Sequence, residues 1–285
     1  MRARILLETQ TVAGIPVLLL LPEGARRLPL VFYVPGYGQG KESGLHLGYQ
    51  LVRAGCAVAA IDPLWHGERS DRRLWDAADP ALGGVYPPDS GLDIWLTFCT
   101  VIGACLDDAR TLLAHFAGDD RLDAANCAVT GPSMGGYASF LLFANLPQMR
   151  AAVPMIGLPT FTRRWLDLLD ECAFSNPAWA AALAQVQEQV AQHTATVAAI
   201  DPAEKLLAAA PRALLVMNGD FDSDQPKHYA IEFYRQLLGA YDACPDRLRL
   251  AIYPAGHTVT PDMERDAVAW IATHLLLPND SGKGV

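Results

Sequence analysis

The chain has 285 residues, 51% of them hydrophobic and 19% charged, with a formal net charge of −9. That balance excludes a disordered chain and leaves room for one or two packed domains. The acidic charge argues against nucleic acid and acidic membrane surfaces, which need basic patches, and no stretch approaches the ~20 apolar residues of a membrane helix.

At the N-terminus Arg2 and Arg4 precede Ile5-Leu6-Leu7, but Glu8 breaks the run and no small-residue cleavage site follows, so a strand is expected rather than a secretory leader. Residues 4–10 and 15–21 read as two strands of a hairpin around Val12-Ala13-Gly14. Residues 30–34 form a third strand, fully apolar, that stops at the loop Pro35-Gly36-Tyr37-Gly38. A helix over 45–54 is capped by Gly55, and a buried strand over 56–61 leads into Asp62-Pro63 and His66-Gly67-Glu68-Arg69. From 70 to 90 the chain reads as a loop carrying Trp75 and Tyr86, and a loop of that length is usually functional or mobile. A long helix is expected over 92–116 and a strand over 126–130.

That strand runs into Gly131-Pro132-Ser133-Met134-Gly135-Gly136, followed by a helix over 137–145. Gly-x-Ser-x-Gly between strand and helix is the pattern of a nucleophile elbow, a sharp turn that lifts a serine hydroxyl clear of the backbone. After a strand over 151–156 comes the segment 160–200. It opens with Phe161 and Trp165, restarts as a helix at Asn176-Pro177, and carries Trp179, Leu183, Val186 and Val190 at helical spacing. This is either a lid or a helix packed on the body; a lid is favoured because it follows a strand end, where such folds build sites. His193 nearby reads as a packing or surface residue. Residues 206–210 close a helix, 213–217 form a strand, 227–241 a helix, 248–253 the last strand and 261–277 the last helix, with a frayed polar tail over 278–285. Eight apolar strands alternating with helices predict an α/β chain, a single domain over 1–285 with a mostly parallel eight-stranded sheet covered on both faces and a small helical lid at about 160–200.

A serine hydroxyl needs a base to take its proton, and the base needs an acid to orient it. Among seven histidines, His257 is best placed, directly after the last strand in Gly256-His257; His66 is its rival. Asp220, Asp222 and Asp224 all follow the strand over 213–217 and are candidates for the acid. The oxyanion of the transition state needs two backbone N–H donors, for which Met134 and Tyr37 are the choices. The expected pocket lining is Trp75, Tyr86, Phe161 and Trp165, which suggests a small or apolar acyl group. The six cysteines, at 56, 99, 105, 127, 172 and 244, are scattered without a Cys-x-x-Cys pair and read as reduced thiols of a cytoplasmic protein.

Several segments together resemble the dienelactone-hydrolase and prolyl-oligopeptidase-like branch of the α/β-hydrolases, and within it the bacterial YitV-type carboxylesterases. They are Val34 to Gly38 with Lys41-Glu42, Asp62 with His66-Gly67-Glu68-Arg69, Gly131 to Gly136, Gly219-x-x-Asp222 with Pro226, and Gly256-His257. The resemblance implies the α/β-hydrolase fold, the order Ser133, Asp222, His257, an oxyanion donor at Tyr37, and a structural turn at His66 to Arg69 with Arg69 tying down the loop. Pro35 and Pro132 depart from the family's pattern, yet neither position supplies a triad group. The expected function is a serine carboxylesterase acting on small or short-acyl esters. A peptidase of the prolyl-oligopeptidase type, a thioesterase or acyltransferase, and a non-catalytic binding protein of the same fold stand as alternatives. No cofactor, metal, nucleic acid or membrane is expected as a partner, and a homodimer is left open.

Overall fold

Short apolar strands and amphipathic helices alternate to build one twisted sheet, and the computed structural model describes residues 4–276 of it. The hairpin of β1 (Ile5–Val12) and β2 (Ile15–Pro22) closes through Ala13 and Gly14, both at positive φ, as a type I′ turn demands. β3 (Leu28–Tyr33) is followed by α1 (Leu45–Ala54), which ends on Gly55 at φ 107°, and by β4 (Ala57–Ile61). Then come α2 (Leu92–Phe116), β5 (Leu122–Pro132), α3 (Met134–Asn145) and β6 (Met149–Met155). α4 (Phe161–Ser175), α5 (Pro177–Gln185), α6 (Gln187–Ile200) and α7 (Ala203–Leu207) precede β7 (Ala213–Gly219). The chain closes with α8 (Lys227–Leu237), β8 (Leu248–Tyr253) and α9 (Pro261–Leu276).

The strand order is β1-β2-β4-β3-β5-β6-β7-β8, with β1–β2 and β2–β4 antiparallel and every other pair parallel. Helices cover both faces: α1 and α9 with Leu47, Leu51, Ile271 and Leu275 on one, α2 and α3 with Ile102, Leu112, Phe140 and Phe143 on the other. The connections leave β3 toward β4 on one side, then return to place β5 on the other. The crevice outside the carboxyl ends of β3 and β5 is therefore the topological switch point, where ligands bind in open α/β sheets.

Differences from the sequence reading are local. β5 starts at Leu122 and α3 at Met134, each earlier than the pattern suggests, because pairing with β3 and the elbow turn extend both. The helix expected to close at 206–210 ends at Leu207, and α8 tightens into a 3₁₀ turn at Leu238–Tyr241. The apolar stripe over 179–190 belongs to two helices that break at Val186; α5 begins where Asn176 caps the Ala178 N–H with proline at its first position. α4 and α6 pack against α2. The loop over 70–90 holds three 3₁₀ turns and is tied by the Asp93 carboxylate, which accepts from the Val85 and Tyr86 N–H groups. All six cysteines are free thiols, five of them buried. No helix among the described residues is long and apolar enough to cross a membrane. The expected tail over 278–285 lies outside the described residues.

Candidate active site

β5 delivers Cys127 to Thr130 into the core and then turns sharply. Ser133 sits at φ 53° and ψ −115°, a conformation that non-glycine residues rarely adopt and that costs on the order of 1–3 kcal/mol. Neighbouring backbone holds it there: the Ser133 N–H donates to Met155 O at 2.9 Å and its carbonyl accepts from Tyr137 N at 3.1 Å. A Cβ at Gly131 or Gly135 would overlap the Val34 carbonyl oxygen, so only glycine fits on either side of the serine.

β7 and β8 deliver the other two groups. Their following loops are stitched together, with Asp220 N donating to Tyr253 O at 2.7 Å and Phe221 N to Ala255 O at 3.0 Å. The Asp222 side chain is buried; its Oδ1 accepts from Asp224 N at 3.0 Å and Gln225 N at 2.8 Å, which leaves Oδ2 for His257. His257 Nδ1 lies 2.9 Å from Asp222 Oδ2, and His257 Nε2 lies 2.9 Å from Ser133 Oγ. A carboxylate oxygen only accepts, so Nδ1 carries the proton and Nε2 is free to take the serine's. The structure thus brings Ser133, Asp222 and His257 into one hydrogen-bonded line. Of the other acid candidates, Asp220 pairs with Lys227, and Asp224 borders a neighbouring cavity. His66 is not part of the line: it is buried with Nδ1 on the Leu64 carbonyl and its ring edge-on to Tyr37, and burial lowers its pKa.

The loop after β3 faces the elbow across the switch point. Tyr37 N–H has no acceptor among the described residues, and Met134 N–H is one of the orphan donors that every helix start leaves free. The loop is anchored by charge. Lys41 and Asp62 are buried; Asp62 Oδ1 accepts from Lys41 N at 2.7 Å, and Oδ2 from Lys41 Nζ at 2.8 Å and Glu68 N at 3.0 Å. Lys41 Nζ also reaches Glu68 Oε1 at 2.6 Å. Burial alone would lower the Lys41 pKa, but the carboxylates of Asp62, Glu68 and Glu42 hold it above its ordinary value. Arg69 Nη1 donates to the Asp62 carbonyl at 3.2 Å and to Asp108 at 2.5 Å, so it does tie down the turn. Lys41 and Asp62 carry no local motif that would announce this contact; 21 residues separate them.

A cavity of about 520 Å³ opens beside Ser133 and His257, lined also by Tyr33, Tyr37, Gln39, Ser43, Ile156 and Glu264. None of the four aromatic residues expected to line the pocket does so. Tyr86, Phe161 and Trp165 are buried in the core, where Tyr86 bonds His193 at 2.8 Å and Trp165 bonds Thr194 at 2.9 Å. Trp75 is 64% exposed and packs edge-on against Tyr37 from outside the cavity. The large apolar surface of Tyr86, Phe161 and Trp165 found partners in α2, α3 and α6 rather than a ligand. A second cavity of about 220 Å³ shares Tyr37 and is walled by Ile94, Trp95, Phe98 and Leu168. The residue that sequence reasoning missed is Glu264, which looks like an ordinary first-turn acid of a helix. Among the described residues no group of three histidine, cysteine or acidic side chains is placed to hold a metal ion.

Residues 103–276 match the sequence model of the prolyl oligopeptidase family. The chain is 27% identical over 272 residues to the Bacillus subtilis (strain 168) protein described as "Putative esterase YitV", covering 94% of this chain and 99% of that one. Among solved structures it is similar to TT1662 from Thermus thermophilus, with a TM-score of 0.65, 21% identity, and coverage of 96% of this chain and 100% of the other. It is also similar to the acetyl xylan esterase from Paenibacillus sp. R4, with a TM-score of 0.64, 19% identity, and coverage of 96% and 89%. These likenesses show the α/β-hydrolase fold.

Proposed function

The chain belongs to the prolyl oligopeptidase family, and on that premise we propose that it is a serine carboxylesterase acting through an acyl-enzyme on Ser133. The observation that carries this reading is the line from Ser133 Oγ through His257 to Asp222, with both links at 2.9 Å. His257 Nε2 takes the serine proton as Oγ attacks the ester carbonyl. Asp222 holds the imidazole in the tautomer that permits this and stabilises the imidazolium that forms. The oxyanion gathers on the side of the Tyr37 and Met134 N–H groups. When it collapses, the carbonyl carbon–oxygen bond to the alcohol breaks and His257 returns its proton to the leaving oxygen. Water then attacks the acyl group, giving its proton to His257, and the acid leaves as Ser133 is restored.

The cavity of about 220 Å³ beside Tyr37, with Ile94, Trp95, Phe98 and Leu168 on one side and Arg164, Asp224 and Gln225 on the other, has room for a short acyl chain only. The relative from Bacillus subtilis, described as a putative esterase, supports ester over amide chemistry. We place the enzyme in the cytoplasm because its six cysteines are unbridged. The test is turnover of a chromogenic short-chain ester by the wild-type protein and by Ser133→Ala. A loss of about 10⁴-fold or more in kcat is expected, and equal turnover by both proteins would reject the reading.

A further inference from the structure

The larger cavity has a direction. In the proposed reaction His257 gives its proton to the leaving oxygen, so the alcohol part of the ester lies on the His257 side of Ser133. Thr258, Val259 and Glu264 continue the wall from His257, with Tyr33, Gln39 and Ser43 opposite along the loop after β3. Every polar side chain here other than the triad is uncharged or acidic, and among the described residues no lysine or arginine lines the cavity.

Glu264 is built into this wall. Its side chain is 18% exposed, and Oε2 is held by His46 Nδ1 at 2.7 Å and Gln50 Nε2 at 3.1 Å, both from α1. Oε1 has no partner among the described residues. An acid in the first turn of a helix is favourable for the helix alone. That does not explain why this one borders the cavity that holds the reactive serine while two side chains fix its orientation. Burial raises the Tyr33 phenol above its ordinary pKa; the bond to the Ser43 hydroxyl opposes that rise, and the charge of Glu264, the smallest of the three effects, adds to it. Tyr33 and Tyr37 line the same space, but the Tyr33 ring is buried against Gly44 and the Tyr37 ring packs on His66, Trp75 and Phe98, so the carboxylate is the charge-selecting group of this wall.

We propose that Glu264 selects esters whose alcohol carries a positive charge, that is, esters of amino-alcohols or quaternary-ammonium alcohols. The assignment rests on the carboxylesterase reading above. Glu264 acts on the substrate and not on the triad, so it governs KM for charged esters.

The test compares acetylcholine with its uncharged carbon isostere, 3,3-dimethylbutyl acetate, and with glyceryl monoacetate. Wild type is expected to favour the cationic ester over the isostere by about tenfold in kcat/KM, mostly through KM. Glu264→Gln should bring that ratio close to one. His46→Ala, which removes one of the two side chains that orient the carboxylate, should lower it. Equal kcat/KM for the cation and the isostere, or a ratio that Glu264→Gln leaves in place, overturns the proposal while the carboxylesterase reading stands. A preference for the glyceryl ester over both also overturns it, in favour of hydroxyl recognition. Cleavage of none of the three would instead sink the carboxylesterase reading itself.

Discussion

Two loops face each other across the switch point, and they are held in opposite ways. The elbow after β5 is fixed by backbone against backbone: Gly131 and Gly135 press on the Val34 carbonyl, and Ser133 N–H is tied to Met155 O. The loop after β3 is fixed by buried charge, with Lys41 between Asp62 and Glu68. Each loop offers one of the two N–H groups proposed for the oxyanion. The comparison teaches that one half of a site is secured by steric fit, insensitive to pH, and the other by ion pairs that fail when one partner is removed.

Asp62→Asn is the harshest way to break the contrast. It takes from Lys41 the one buried carboxylate of its three and leaves Glu42 and Glu68, which are both exposed, and a cost of about 3–5 kcal/mol in denaturant unfolding is expected. Displacement of the Tyr37 N–H should also cut kcat by about 100- to 1000-fold. Gly135→Ala strikes the steric half. The added methyl meets the Val34 carbonyl, so a loss of about 2–3 kcal/mol in the same unfolding assay is expected. The double variant Lys41→Met with Asp62→Leu sharpens the distinction further. Removing the whole pair should recover only part of the loss: it relieves the unpaired charge of Lys41 but leaves the Lys41 and Glu68 N–H groups without the Asp62 oxygens that accept from them. A double variant no more stable than Asp62→Asn would show that relieving the charge contributes nothing.

The smallest effect is a pH slope. His66 packs behind Tyr37, and burial lowers its pKa below the ordinary 6.5. The unfolded chain then binds the proton more readily than the folded one, so stability is complete above about pH 6.5 and declines as pH falls below it. His66→Gln should flatten the acid side of a melting-temperature profile. At the alkaline end, the raised Lys41 pKa means its contribution persists up to the ordinary value of 10.5 and is lost as pH rises through the folded value.

The same contrast explains what the sequence made legible. The elbow is contiguous, so Gly131, Ser133 and Gly135 announce it, and His257 follows from its position after the last strand; position alone leaves Asp220, Asp222 and Asp224 open, and the family resemblance singles out Asp222. The charged anchor of the other loop joins residues from three turns and has no local signature. Glu264 reads as a helix-start acid because its meeting with His46 and Gln50 spans the fold. Tyr86, Phe161 and Trp165 were expected at the cavity because an aromatic residue in a loop or a helix start reads equally as pocket or core. Here Asp93 and His193 hold Tyr86 inward, Thr194 holds Trp165, and Phe161 packs on the Tyr137 ring.

The central claim is that His257, held by Asp222, makes the Ser133 hydroxyl nucleophilic. Peptide mapping by mass spectrometry after reaction with a fluorophosphonate tests it most directly. A single adduct on Ser133 is predicted, formed at least about 100-fold more slowly in His257→Ala and absent in Ser133→Ala. An adduct on another residue, or full esterase activity in a protein that takes up no label, would contradict it.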